Sequence, residues 1–475
     1  MFFAPIAPSP ESLGIPSAAL EKFVRQYDRV DTPHALILLR HGQTALSMSW
    51  APFDTERKHI LHSLSKSFTS IAIGIAYGEG LLDLDAPFLK YLHEYDGFVT
   101  DEKMRRVTLR HLLSMNTGHD PEPSGLVQQP EGAQEWCQAF AASKLAYEPG
   151  SHFSYNSLGT HMLAAVVRKT TGLNVREYLM PRFFEPLGIL PGQWELSPGG
   201  TDAGGWGFML STTDLAKVGQ CLLQHGRWQE KQLIPQAYLE EACRVQSDNS
   251  ANDQPDWKVG YGFQFWMSRH GYRGDGAFGQ YIAVVPEDDM VLATNACLAN
   301  MQQVLDFLWE LRENFSDQPL PENPAALASL RAFCTGRIIR PFDRIASNPP
   351  PAPVHGIVYS DGLTEMTVDA NAVECAITFQ RPGRYEQLRA SFLEPLGSEF
   401  TLMLDDVSPH PYRAIADWES PTTLRITAVA LDMGWVDTYR IAIGTKKDTL
   451  ERTSTFALEL GWCHRPRPIE AKRIN

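Results

Sequence analysis

Positive charge is in short supply in this chain. Its 42 lysines and arginines face 56 aspartates and glutamates, a formal net charge of −14. No basic run offsets that balance, which argues against nucleic acid or an anionic membrane as partner, since either needs a cationic surface to release its counterions. Long apolar runs are missing too: none approaches the ~18 residues that span a bilayer. The opening MFFAPIAPSPESLG has no charged leader and is broken by Pro5 and Pro8, so no secretion signal is read and a cytoplasmic protein is expected. Cysteine is sparse and scattered, with seven residues and no C-x-x-C pair. That usage suits buried free thiols in a reducing compartment, and neither a disulfide framework nor a zinc site is read from it. His59 and His62 are spaced like metal ligands but have no evident third, so packing roles are expected for both. G-x-S-x-G, a Walker A loop and a strand-to-helix G-x-G-x-x-G are absent, which removes the α/β-hydrolase elbow and the common nucleotide-binding loops.

What is present is enough apolar sequence, 43% of 475 residues, for at least one large core. His34 to Trp50 reads as a hairpin turning at His41-Gly42-Gln43. From Ser63 a helical period runs through Leu64, Phe68, Ile71 and Ile75 to about Gly78. Helical patterns dominate from Val107 to Gly226, strands return at 261–268, 281–286 and 290–296, and a helix follows at 300–314. Strands at both ends with helices between predict one sheet assembled from distant segments. The proline-rich stretch 341–354 predicts a stiff linker between a domain at 1–340 and an antiparallel β-domain at 355–475, a meander or small barrel by its spacing.

Three segments could carry chemistry. Ser63-Leu64-Ser65-Lys66 occurs once and opens an apolar helix. Residues three apart share a helix face, so a serine hydroxyl and a desolvated lysine amine can meet there, with the amine as base. The plainer alternative is a capping serine beside a solvated lysine. Tyr155-Asn156-Ser157 stands at a loop–helix junction, where the Tyr155 hydroxyl, its pKa lowered by a nearby ammonium, could relay protons. The competing role is a tyrosine anchoring a loop. In HGYRGDGAFGQYIAVVP, glycines 271, 274, 276 and 279 lead into a strand, so backbone could approach a ligand and offer an N–H, or simply make a tight turn.

Together, and in this order along residues 10–315, these segments resemble the serine β-lactamase and penicillin-binding protein superfamily. The likeness is to its class C β-lactamase-like branch, which includes esterases, D-amino-acid peptidases and oligomer amidases. The resemblance implies an α/β (α+β) fold: an antiparallel sheet flanked by helices, beside a helical region, with the site between. It further implies Ser63 as acylated nucleophile, Lys66 as base and Tyr155 as proton relay, with no metal or organic cofactor. The oxyanion would meet the N–H of Ser63 and one from the turn at Gly274, Asp275 and Gly276, with Asn156 and Ser157 on the substrate side. The C-terminal β-domain is similar to the lipocalin-like barrels of some members. Two departures stand out. The Tyr-x-Asn element ends in Ser157, and the Lys-Thr-Gly or His-x-Gly element has no clear counterpart, with only His270, Arg273 and Asp275 nearby. The expectation is therefore a serine hydrolase of a small ester or amide with a neutral acyl group. A β-lactamase or D-Ala-D-Ala-type peptidase, and a non-catalytic binding protein on the same scaffold, are the alternatives. A homo-oligomer stays open.

Overall fold

The computed structural model describes residues 4–123, 135–343, 353–394, 396–397, 399–402, 409–444, 447–454 and 469–475. It forms two units. One comprises Met1–Val30, Ala35–Met48 and Ile60–Thr335; the other comprises Asp31–His34, Ser49–His59 and Gly336–Asn475. The proline run expected as a linker, Pro349 to Pro351, lies outside the described residues.

The first unit is built on a six-stranded sheet. In chain order its strands are β1 (Thr32–Arg40), β2 (Gln43–Ser49), β3 (Trp266–Met267), β4 (Tyr272–Gly276), β5 (Gln280–Val285) and β6 (Met290–Cys297). Their spatial order is β2-β1-β6-β5-β4-β3, so the first hairpin pairs with a strand from far along the chain. β3 to β6 form an antiparallel meander. The hairpin between β1 and β2 turns at His41 and Gly42, both at positive φ, the twist that matches right-handed strands. β1, β5 and β6 are buried at every residue, as strands must be when helices cover both faces.

The helices used below are α1 (Ser65–Gly78), α2 (Trp136–Ala142), α3 (Ser157–Thr171), α4 (Thr212–Leu223) and α5 (Gln302–Arg312). α4 lies against the sheet so closely that a Cβ on Gly219 would stand 2.4 Å from Val291 Cγ1. α1 is buried from Ser65 to Ala76, a core helix with no solvent face along that stretch. The strand expected over 261–268 shrinks to Trp266–Met267. Gln264 takes φ 63, and a Cβ on Gly262 would meet Ala242 O at 2.1 Å, so this stretch packs as irregular backbone. Among the described residues no helix is long and apolar enough to cross a membrane.

The second unit carries the expected all-β region as a closed barrel. Nine strands, from Val354–Ser360 to Ile469–Arg473, form it, and the parallel pairing of Ser391 with Ile415 closes it. The short strand Glu399–Leu402 adds to its edge. Segment 49–59, remote in sequence, belongs to this unit, with Arg57 paired to Glu399 at 3.1 Å.

Candidate active site

Ser63 does not begin α1. It sits in a 3₁₀ turn, His62–Leu64, and the α-helix starts at Ser65. His62, just before it, has φ 47, a left-handed conformation that a non-glycine residue holds only when its surroundings impose it. The pinch has an evident cause in the strand opposite. A Cβ on Gly276 would lie 2.1 Å from Leu61 O, and one on Gly274 would lie 2.3 Å from Leu64 Cδ1. Only glycine lets β4 press against the nucleophile turn in this way.

Lys66, one turn on, is 1% exposed. Its Nζ donates to Ser63 Oγ at 3.1 Å, to Ser157 Oγ at 3.1 Å and to the carbonyl of Gly205 at 2.8 Å. None of these acceptors is charged. Desolvation therefore dominates and lowers its pKa to about 7, against a smaller opposing pull from the Glu122 carboxylate.

Tyr155 brings its hydroxyl to Ser63, while Lys66 Nζ lies over the phenol ring, 4.7 Å from its centroid. The ring is stacked on Trp266 at 5.6 Å. The sequence reading expected an ammonium to lower this phenol. Instead burial raises it, the hydrogen bond with Ser63 opposes, and the Asp275 and Glu122 carboxylates add to the rise. The amine faces the ring rather than the oxygen and is itself poised near neutrality. Tyr155 is thus a protonated hydroxyl that can donate, and Lys66 is an amine that readily gives up its proton.

Of the neighbouring residues, Ser157 reaches Lys66, and its N–H donates to Glu122 Oε2 at 2.7 Å. Asn156 is fully buried and turned inward. It caps α3 by accepting from the Gly159 N–H at 2.8 Å and donates to Thr117 and His119. Glu122, Gly205, Trp257 and Trp266 escaped the sequence reading. Each comes from a segment with no catalytic motif, and only the fold brings them together.

β4 fills the place where the missing basic element was sought. Arg273 is buried and cannot face a substrate: its guanidinium bonds Asp275 at 2.9 Å, Ser268 Oγ at 2.7 Å and two carbonyls, and packs on Trp257. Asp275 is pushed up to about 6 by burial, with Arg273 opposing. His270 lies off the site, 3.4 Å from Glu287.

A cavity of about 800 Å³ opens on Ser63 and Tyr155. Trp257, Trp266 and Met301 give it apolar walls, and Ala277, one residue past Gly276, lines it beside the nucleophile. No basic side chain is found among its described lining residues.

Comparison with known proteins finds named hydrolases among those this chain is similar to. The chain is similar to 6-aminohexanoate-dimer hydrolase of Paenarthrobacter ureafaciens, 24% identical over 54% of this chain and 71% of that protein. It is 28% identical to esterase EstB of Burkholderia gladioli over 33% of this chain and 43% of the relative. An uncharacterized protein of Alkalihalophilus pseudofirmus matches at 26% over 40% of this chain, and the match spans only 56% of that relative. Among solved structures, EstCE1, a hydrolase with promiscuous acyltransferase activity, superposes with a TM-score of 0.50 over 63% of this chain and 98% of its own, at 17% identity, a likeness of fold. The family model described as Beta-lactamase matches residues 17–301, more than half the chain. The chain belongs to the Beta-lactamase family.

Proposed function

We propose that this chain hydrolyses esters or amides through a covalent acyl-enzyme on Ser63. The observation that carries the reading is the uncharged setting of Lys66, whose Nζ is 3.1 Å from Ser63 Oγ with a pKa near 7. At neutral pH about half of such amines are unprotonated. The free amine takes the Ser63 proton as Oγ attacks the carbonyl carbon, and the electron pair of the C=O moves to oxygen. Backbone N–H groups at Ser63 and Ala277, both of which line the cavity, stabilise that oxyanion. On collapse, the proton passes from Lys66 through Tyr155 to the leaving oxygen or nitrogen. Water then repeats the cycle to free the acid.

The acyl group best suited to the cavity is neutral. A carboxylate would meet tryptophan walls with no basic side chain among the described lining, since Arg273 is committed behind them. A fluorophosphonate probe should label Ser63 and leave Ser63→Ala untouched. Short p-nitrophenyl esters should be turned over far faster than nitrocefin. Folded protein that never labels contradicts the mechanism, and nitrocefin turnover equal to that of the esters contradicts the substrate class.

A further inference from the structure

Away from Ser63, the start of α2 packs against the middle of α3, and three different donors converge there. The Glu135 carboxylate, the Cys137 thiol and an imidazole nitrogen of His161 lie within 4.8 Å of one another. Glu135 and Cys137 are two apart at the head of α2, where Glu135 Oε2 also accepts the Gln138 N–H at 3.1 Å. Cys137 and His161 are buried.

The imidazole has a defined orientation. His161 Nδ1 is 3.3 Å from the carbonyl of Ala203, which can only accept, so the proton sits on Nδ1 and Nε2 carries the lone pair. The ring is edge-on to Trp136 at 5.0 Å. Its Nε2 is buried and has no hydrogen-bond partner among the described residues. A buried imidazole lone pair left without a donor costs free energy unless something electrophilic fills the space.

We infer that Glu135, Cys137 and His161 form a binding site for one borderline-soft divalent ion of the zinc or cobalt type. The donor set selects that class: thiolate and imidazole favour such ions, while magnesium and calcium take oxygen ligands. Charge supports it as well. When the ion enters, the Cys137 S–H bond breaks, sulfur keeps the electron pair and bonds the metal, and the proton leaves to water. Thiolate and carboxylate then cancel the 2+ charge, so the buried site ends neutral. In a tetrahedral set the donor atoms stand ~3.5 Å apart, so the present arrangement closes by about 1 Å, with water in the fourth position. The Tyr95 hydroxyl hydrogen-bonds both Glu135 and Cys137. The scattered cysteines gave no hint of this, because its ligands are a carboxylate and thiol two apart and a histidine on another helix.

The site does not depend on the proposed reaction, and its test reads binding alone. The full chain, reduced and stripped with chelator, is titrated with Co²⁺ by absorbance and with Zn²⁺ by competition. One Co²⁺ per chain is expected, with a thiolate-to-cobalt charge-transfer band in the near ultraviolet. Cys137→Ala should lose that band and that equivalent, while Cys334→Ser keeps both. His161→Gln should weaken binding by more than about tenfold. Glu135→Gln changes a partly buried position at the helix start and should weaken binding with the core intact, so the test survives if the Cys137 variant fails to fold. No Co²⁺ or Zn²⁺ bound by the wild type overturns the inference. So does a band that persists in Cys137→Ala, or full affinity in Glu135→Gln.

Discussion

Lys66 and Arg273 are two buried cations in one unit, 1% and 0% exposed, and they have opposite fates. Lys66 is surrounded by two hydroxyls and a carbonyl, so nothing fully compensates the loss of water and its proton is loosely held. Arg273 has the Asp275 carboxylate at 2.9 Å and further acceptors around its fork, so its charge is neutralised in place. The contrast teaches that burial alone does not make a residue catalytic. A buried cation with neutral partners holds its proton loosely; one with a carboxylate becomes a post that props Trp257 and Trp266 along the cavity wall.

The comparison can be broken in order of effect. Removing the nucleophile is most severe: Ser63→Ala should lower kcat/KM by about 10⁴-fold or more while leaving the melting temperature close to that of the wild type. Lys66→Ala should cost a similar factor and Lys66→Arg should not restore it, because a guanidinium stays protonated. Rescue by arginine, in steady-state assays, would mean that charge rather than basicity matters. Arg273→Met attacks the other cation and should act on stability. It strands Asp275 in the core and should cost about 3–5 kcal/mol in urea unfolding, much of it recovered in Arg273→Met/Asp275→Leu. A double variant no better than the single would show that the arginine mainly packs. The smallest effect belongs to Glu122→Gln. This carboxylate raises the Lys66 pKa, so removing it should let that pKa fall further and move the rising limb of kcat/KM against pH toward acid. A limb displaced toward alkali would reverse the electrostatic assignment.

Much of this arrangement was legible in the sequence for local reasons. The i, i+3 spacing of Ser63 and Lys66, the Gly42 turn between β1 and β2, and the alternating strands beyond residue 355 are signals that short segments carry by themselves. Tyr155 was found through its neighbours in sequence, yet its raised pKa comes first from burial by distant segments, with smaller contributions from Asp275 and Glu122, which no local pattern connects to it. Gly205 contributes only a carbonyl, so its side chain gives no sign of the role. Segment 49–59 looked like part of the first hairpin's domain, but belongs with the C-terminal unit through contacts far apart in sequence. The start of α1 was misplaced by two residues because the packing of β4 against residues 61–64 favours a tighter turn at Ser63.

The most direct test is the rate at which a fluorophosphonate modifies Ser63 as pH is varied. Because the Lys66 pKa is lowered to about 7, the amine is protonated and inactive below that value and free above it. The labelling rate should therefore rise through an inflection near pH 7 and then stay level, since Tyr155 holds its proton well beyond the usual phenol range. A rate that first rises near pH 10, or an inflection near pH 7 that survives in Lys66→Ala, would contradict the account.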